Sequence, residues 1–138
     1  MYLLDTNVIS ELRRAKPHGA VVAWLETVPD AALHVSALSL GEIQAGVEKL
    51  RQRDPQKAQE IEQWVDRVEQ TFAVLPVDGR IFRLHARWML ARPDHAYEDA
   101  LIAATAQVHG LMLVTRNARD FVHFDVPLFD PFTFAAQG

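Results

Sequence analysis

Near the start of the chain stands the stretch Tyr2-Leu3-Leu4-Asp5-Thr6-Asn7-Val8-Ile9-Ser10-Glu11-Leu12. Its first three residues predict a short buried strand, and residues from about Asn7 to Arg14 predict a helix capped by Asp5 or Thr6. The stretch therefore places the Asp5 carboxylate at the carboxyl end of a strand. Ligands of open α/β sheets bind at that edge. Further carboxylates at the same edge would suit a hard divalent cation.

The composition is that of a globular protein, with 138 residues, 49% of them hydrophobic and 23% charged. This length predicts one domain over residues 1–138 with a core of its own. The chain contains no cysteine, which excludes disulfides and thiolate metal sites. A net charge of −4 argues against non-specific coating of nucleic acid, although a nuclease whose acids hold metal ions remains possible.

Hydropathy predicts a cytoplasmic protein that does not enter the membrane. No apolar run approaches the roughly 20 residues that a membrane-spanning helix needs. The apolar segment at the start is three residues long and meets Asp5 at once, so we expect no secretory segment.

The rest of the chain alternates between short apolar runs and segments with helical periodicity. Further strands are expected at residues 33–35, 73–75, 111–114 and, as an edge strand, 126–129. The segment from Tyr97 to His109 is apolar almost all round and predicts a buried helix, which Gly110 ends. Strands separated by helices predict an α/β fold with a mostly parallel sheet covered on both faces.

Four acids lie at strand ends or in the first turns of helices, namely Asp5, Glu42, Asp99 and Asp120. Each has a simpler interpretation: Asp5 as a helix cap, Glu42 as a solvated helix residue, Asp99 as a charge favoured by the helix dipole, and Asp120 as a surface turn residue. A doubly wound sheet, however, brings all four to one edge. Because clustered carboxylates repel one another, the joint pattern favours a bound Mg²⁺ or Mn²⁺.

Other chemistries receive little support from the residue pattern. The six histidines show no paired-ligand spacing, and the serines lie in no nucleophile elbow. No phosphate-binding loop and no dinucleotide glycine motif occurs. The three tryptophans, Trp24, Trp64 and Trp88, fit core faces better than platforms for nucleic-acid bases.

Four blocks of sequence, in this order, resemble the PIN-domain family, in particular the FitB-like branch of the VapC toxins of type II toxin–antitoxin systems. They are Leu3–Leu12, Ser39–Ile43, Asp99–Ala106 and Val114–Phe121. The resemblance implies a single PIN domain, a three-layer α/β/α sandwich around a mostly parallel sheet. It also implies an endoribonuclease that uses Mg²⁺ or Mn²⁺ to hydrolyse RNA.

The resemblance also assigns roles to the acids. Asp5, Glu42 and Asp99 match the three constant metal-binding acids of the family. Many members carry a fourth acid where this chain has Asn117, and Asp120 is the candidate substitute. Asn117 then holds a water or orients Asp120. One ion is expected between Asp5 and Asp99, and a second, if two are needed, toward Glu42 and Asp120.

Three further residues complete the predicted site. Thr6 and Thr115 are expected to bond to a carboxylate or a water beside the metal. Arg116 is either a phosphate contact or an ordinary surface residue. Thr6 or Asn7 is expected to cap the first helix and to leave Asp5 free for the metal.

The resemblance implies two protein partners, a VapB-type antitoxin whose C-terminal segment crosses the active-site groove and a second copy of the chain in a homodimer. Apolar stripes between Leu40 and Phe72 suit such contacts, although core packing explains the same stripes. The alternatives to a ribonuclease are a non-catalytic α/β module that binds a cation or a partner, and a PIN-type nuclease acting on DNA. A receiver-like phosphoacceptor domain would need a lysine at the end of the last convincing strand, where this chain has Thr115-Arg116.

Overall fold

Parallel strands and helices alternate along residues 1–135, the part of the chain that the computed structural model describes. The strands are β1 Tyr2–Leu4, β2 Leu33–Ser36, β3 Ala73–Leu75, β4 Met112–Val114 and β5 Leu128–Phe129. The α-helices are α1 Thr6–Glu11, α2 Gly19–Glu26, α3 Ala37–Arg51, α4 Pro55–Thr71, α5 Gly79–Ala91 and α6 Tyr97–His109. The predicted α/β/α architecture is confirmed.

The sheet is wholly parallel, with the strand order β3-β2-β1-β4-β5. The chain builds outward from β1 to β3 on one side and then returns to place β4 on the other side of β1. The order therefore reverses between β1 and β4, where Leu4 pairs with Val114. Crossover helices leave a crevice at such a point, at the carboxyl ends of the two strands. Asp5 directly follows β1 at this crevice.

The side chains of Leu3 and Leu4 in β1 point to opposite faces of the sheet and so belong to opposite layers of the sandwich. Leu3 packs with Ala103 of α6 in one core cluster, and Leu4 packs with Val8 and Trp24 in the other. Successive side chains of a strand point to opposite faces, so one short strand joins both cores. All five of these residues are at most 5% exposed. The small residues of α6 let that helix lie close to the sheet.

Local sequence signals account for most element boundaries. Ser36, Asp54 and Asp78 accept hydrogen bonds from backbone N–H groups at the starts of α3, α4 and α5. Gly110 ends α6 in the left-handed conformation with φ 65°, which glycine adopts without a Cβ penalty.

Several boundaries differ from the predictions by one or more residues, among them the end of α1 and the start of β5. The first helix was expected to reach Arg14, but α1 ends at Glu11 and continues as turns in which Arg13 N–H bonds to Ser10 O and Arg14 N–H to Glu11 O. The edge strand begins after Pro127, because proline has no N–H for a strand ladder. Within residues 1–135, every helix is too short or too polar to traverse a bilayer.

Candidate metal centre

Asp5 lies at the crevice between β1 and β4, and its carboxylate is held by three donors. The Thr115 hydroxyl, at the end of β4, donates to Asp5 Oδ2 at 2.8 Å, and the Asn7 amide donates to the same oxygen at 3.2 Å. The Thr6 N–H donates to Asp5 Oδ1 at 2.8 Å. Asp5 is 7% exposed. It therefore caps α1 itself, and the expectation that Thr6 or Asn7 takes over that role is wrong.

The hydrogen bonds around Asp5 extend into the loop after β4. The Asn117 N–H donates to Thr115 Oγ1 at 3.1 Å, which leaves the hydroxyl hydrogen of Thr115 for Asp5. Asn7 Oδ1 accepts the N–H of Arg116 at 3.3 Å while the amide nitrogen of Asn7 donates to Asp5. The two loops that follow β1 and β4 are thereby tied to one carboxylate.

Glu42 reaches the same crevice from α3. The Thr6 hydroxyl donates to Glu42 Oε1 at 3.0 Å and lies 2.8 Å from Ser39 Oγ. Ser39 is fully buried, one helical turn before Glu42, and supports Thr6 from below. The first turns of α3 and α1 are therefore joined by a polar contact beside Asp5.

The remaining acids enter from the other side of the crevice. Asp99 and Glu98 lie in the first turn of α6, and Asp120 lies in a short 3-10 helix, Ala118–Phe121. Together with Asp5 and Glu42 they line one open pocket of about 310 Å³. Among the described residues, no lysine, arginine or histidine lines this pocket. The predicted convergence of the four acids on one pocket is thus observed.

Mutual repulsion and burial raise the pKa values of three of these acids. The pKa of Asp99 rises to about 6, first because of burial and then because of the charges of Asp5, Asp120 and Glu42. Burial also raises the pKa of Asp5, although its three donors oppose the rise. For Glu42, partial desolvation and the Asp5 charge raise the pKa against the hydrogen bond from Thr6. The pocket thus concentrates negative charge without a compensating cation from the chain.

The donor set suits a hard divalent cation, since it consists of carboxylate oxygens with hydroxyl and amide groups behind them. Within residues 1–135, no three acidic or imidazole side chains are gathered closely enough to form a complete ligand cluster as they stand. The acids surround the pocket, with room between them. Asp5, Glu42, Asp99 and Asp120 are the residues that can hold an ion there, together with waters or substrate oxygens.

The other predicted residues lie close by but in different settings. Thr6 and Thr115 bond to carboxylates, as expected of them. The side chain of Arg116 is exposed and lies over the ring of Phe132, with its guanidinium carbon 4.4 Å from the ring centre. Asn117 lines the pocket, and its carbonyl accepts the N–H of Asp120 at 2.9 Å.

Sequence reasoning missed three residues that line or support the pocket. Ser39 received no role in the site and Asn7 was expected only to cap the first helix, because their contacts depend on the crossing of elements that the sequence does not display. Glu98 lines the pocket beside Asp99. Its position in the first helical turn, next to a predicted ligand, was the available signal.

An apolar groove adjoins the acid pocket and shares Thr6, Ser10 and Glu42 with it. The groove has a volume of about 450 Å³ and runs along α3 toward α4. Ile43 and Val47 contribute to its apolar wall, and the exposed Arg13 and Arg53 lie at its sides. The apolar stripes of α3 and α4 thus pack against each other and also remain partly open to this groove.

A parallel sheet with acids gathered at its switch point agrees with the PIN-domain class that the sequence predicts. The sequence matches the profile of the PIN domain over residues 2–127, and the chain belongs to this family. The predicted family is therefore confirmed, and so is the predicted fold.

Particular relatives place the chain among the toxins of this family. It is 35% identical to "Toxin FitB" of Neisseria gonorrhoeae, over 95% of this chain and 98% of the relative. It is 33% identical to "VapC ribonuclease Y4jK" of Sinorhizobium fredii, over 95% of this chain and 97% of the relative. The crystal structure of FitAcB from Neisseria gonorrhoeae superposes with a TM-score of 0.86 at 32% identity, covering 97% of this chain and all of that one.

Removal of the Thr115 hydroxyl is expected to weaken the site without unfolding it. Thr115→Val deletes the donor to Asp5 Oδ2, and loss of such a supporting group costs roughly 10- to 100-fold in metal affinity or activity. Thr115→Ser keeps a hydroxyl and should retain most activity. The rate of RNA cleavage and the affinity for Mn²⁺ are measured for both variants. The exposed Thr71→Val serves as the control. Equal rates for Thr115→Val and Thr71→Val would contradict the role.

Proposed function

We propose that this chain is a Mg²⁺- or Mn²⁺-dependent endoribonuclease, the toxin of a toxin–antitoxin pair, which hydrolyses RNA phosphodiester bonds in the cytoplasm. The observation that carries the proposal is the pocket at the sheet's switch point, where five carboxylates meet and no basic side chain of the described residues enters. Names of the relatives support the reaction class, since they include a toxin and a ribonuclease.

A divalent cation held by Asp5, Glu42, Asp99 and Asp120 would neutralise the phosphodiester and lower the pKa of an attacking water. The residues of the chain prepare the site for that chemistry. Thr115 and Asn7 fix the Asp5 carboxylate, and Thr6 fixes that of Glu42. Ligands that are already oriented lose little freedom when the substrate binds.

Arg116 lies in the loop after β4, next in sequence to the pocket-lining Asn117. Its backbone is tied to Asn7, and its guanidinium rests on the Phe132 ring. A guanidinium held against an aromatic face keeps its N–H edge available for a phosphate. We assign it to the phosphate of a nucleotide that flanks the scissile bond.

The partner proposed for the groove beside the acid pocket is the antitoxin's C-terminal segment. The groove joins the pocket at Thr6, Ser10 and Glu42, so a segment lying in it reaches Glu42 at the edge of the acid pocket. Structures of relatives support this partnership, since one of them is the FitAB complex bound to a DNA fragment, at 30% identity and a TM-score of 0.85 over the full length of both chains. A homodimer is proposed on the family resemblance.

Purified protein is expected to cleave RNA in Mg²⁺ or Mn²⁺, to lose all cleavage in EDTA and to regain it when Mn²⁺ is restored. Labelled RNA and DNA of the same sequence are incubated side by side and their products separated by size. If the protein cleaved the DNA and left the RNA intact, DNA would be the substrate in place of RNA. Binding of Mn²⁺, measured by calorimetry, without cleavage of either polymer would identify a non-catalytic cation-binding module and overturn the proposal.

A further inference from the structure

A further cavity lies between the end of α5 and the residues that follow the Ala118–Phe121 3-10 helix. It has a volume of about 150 Å³ and is lined by Trp88, Ala91, Arg92, His95, His123 and Phe124. This size suits one ring system rather than a drug-sized ligand, whose pockets are typically at least twice as large. Trp88 packs against the core, as the sequence pattern predicted, and the part of its half-buried side chain that remains open forms one wall of this cavity.

Aromatic rings form the inner walls of the cavity. Phe124 is buried, with its ring centre 4.9 Å from that of Trp88 and 4.6 Å from that of His95. The His123 ring lies 5.9 Å from His95 at an interplanar angle of 37°. The four rings are tilted against one another, and all four residues line the cavity. Aromatic rings that line a cavity can bind a planar heterocycle by stacking.

One buried polar atom in this cluster lacks a partner. Among the described residues, His95 Nε2 is the buried side-chain nitrogen or oxygen that has no hydrogen-bond partner. Buried polar groups are nearly always bonded, so an unpaired one calls for a bound group. An imidazole nitrogen can donate to or accept from the edge of a heterocycle, depending on its tautomer.

The charge at the rim is positive and can bind an anionic group such as a phosphate. Arg92 is exposed and its guanidinium nitrogen lies 3.4 Å from His123 Nδ1. A guanidinium can only donate, so His123 Nδ1 accepts, and the other ring nitrogen of the neutral imidazole is then a donor. The cavity therefore offers stacking faces inside, one unpaired hydrogen-bonding atom in the wall, and two donors at the mouth.

We propose that this cavity binds one unstacked nucleobase of the RNA substrate and thereby sets the sequence or position of cleavage. The inference rests on the proposed ribonuclease function. Two short segments connect the sites: Asp120 lines the acid pocket three residues before His123, and Glu98 lines it three residues after His95. A single strand that passes through the acid pocket can therefore place a neighbouring base in the cavity. Proteins read single-stranded RNA in this manner, by stacking and edge contacts.

The first test measures base binding without any cleavage. The indole N–H signals of the three tryptophans are recorded by NMR, the Trp88 signal being identified by its absence in Trp88→Phe. AMP, GMP, CMP and UMP are each titrated in EDTA, with ribose 5-phosphate as the control ligand. We expect at least one nucleotide to shift the Trp88 signal saturably and ribose 5-phosphate to leave it unchanged. No shift with any nucleotide, or an equal shift with ribose 5-phosphate, overturns the proposal.

Substitutions then test the individual contacts. His95→Phe keeps a ring but removes the unpaired nitrogen, and should weaken nucleotide binding roughly tenfold, whereas the exposed His109→Phe should not. Arg92→Ala, at the rim, should weaken binding of the monophosphates without altering the buried rings. Unchanged binding in both cavity variants overturns the proposal. A Trp88 signal that instead shifts on dilution assigns the cavity to contact between two copies of the chain.

Cleavage assays separate this proposal from the proposed function. On RNA, His95→Phe should raise KM and flatten the preference for one base beside the cut, with kcat retained. If the unaltered protein cleaves no RNA, the function fails while the NMR titration still decides the cavity. If His95→Phe and His109→Phe cleave all RNA sequences alike, the cavity proposal fails while the function stands.

Discussion

Asp99→Asn is expected to lower RNA cleavage roughly 1,000-fold and to leave the fold intact. Asp99 lies in the first turn of α6, half-buried beside Asp5, Glu42 and Asp120, and its pKa is raised first by burial and then by those charges. An amide is a poorer ligand for a hard cation and carries no charge, so several kcal/mol of transition-state stabilisation are lost. Single-turnover cleavage of a labelled RNA at saturating Mn²⁺ measures the effect.

The matched control is Asp66→Asn, which changes an exposed acid on α4 in the same way. It should cleave RNA at the parent rate. Circular dichroism and thermal melts show that both variants are folded. If Asp99→Asn cleaves at the rate of Asp66→Asn, the assignment of Asp99 to the metal centre is wrong.

Without metal, the free energy of unfolding is expected to fall as the pH rises from about 4 to about 6. The pKa of Asp99 is about 6 in the folded protein against 3.8 for an ordinary aspartate, so the folded state binds the proton more tightly. The stability that this proton contributes is present below pH 4 and is lost as pH rises through 6. Asp5 and Glu42, whose pKa values are also raised, act in the same direction.

The expected size of the Asp99 contribution is about 1 kcal/mol, after allowance for its partial exposure to solvent. A bound cation should reverse the loss, because it neutralises the same charges. At a free concentration 100 times its dissociation constant, an ion adds about 2.7 kcal/mol, which corresponds to a rise in Tm of roughly 10 °C for a domain of this size. Cation binding is thus expected to be the larger effect at neutral pH.

Thermal melts in EDTA at pH 5 and pH 7, and at pH 7 with Mn²⁺, test both effects. The metal-free protein should melt at a higher temperature at pH 5 than at pH 7. Asp99→Asn should reduce that difference, melt above the parent at pH 7 in EDTA, and respond less to Mn²⁺. A parent protein that is more stable at pH 7 than at pH 5, by the same margin as Asp99→Asn, would refute the electrostatic account.

Much of the site was predictable because its residues follow strand ends directly. Asp5 and Thr115 come immediately after β1 and β4, and parallel strands bring their carboxyl ends to one edge. Glu42 and Asp99 lie in the first turns of helices that begin at the same edge. These positions depend on local sequence and on the parallel arrangement, both of which the residue pattern displays.

Other parts of the site depend on contacts between elements that are distant in sequence. The bond from Thr6 to Glu42 spans 36 residues, and that from Thr115 to Asp5 spans 110. The different roles of Asn117 and Asp120 are likewise visible only in the tertiary structure. Asn117 donates its N–H to Thr115 and lies at the pocket wall, whereas the Asp120 charge contributes to the raised pKa values of Asp5 and Asp99.

The sequence by itself determined the α/β class, the strand that begins the sheet, the family and the acids that meet at one edge. Those features follow from hydrophobic periodicity, helix capping and residue type, which act over a few neighbouring residues. Only the tertiary structure decided the strand order that reverses between β1 and β4, the donors that hold Asp5, and the cavity around His95. The physical reason is that these features are set by side-chain packing and hydrogen bonds between distant segments, whose geometry no local pattern encodes. The short stretch Tyr2–Leu12 therefore predicted where the chemistry lies, and the packing of the elements around it decided how Asp5 is held there.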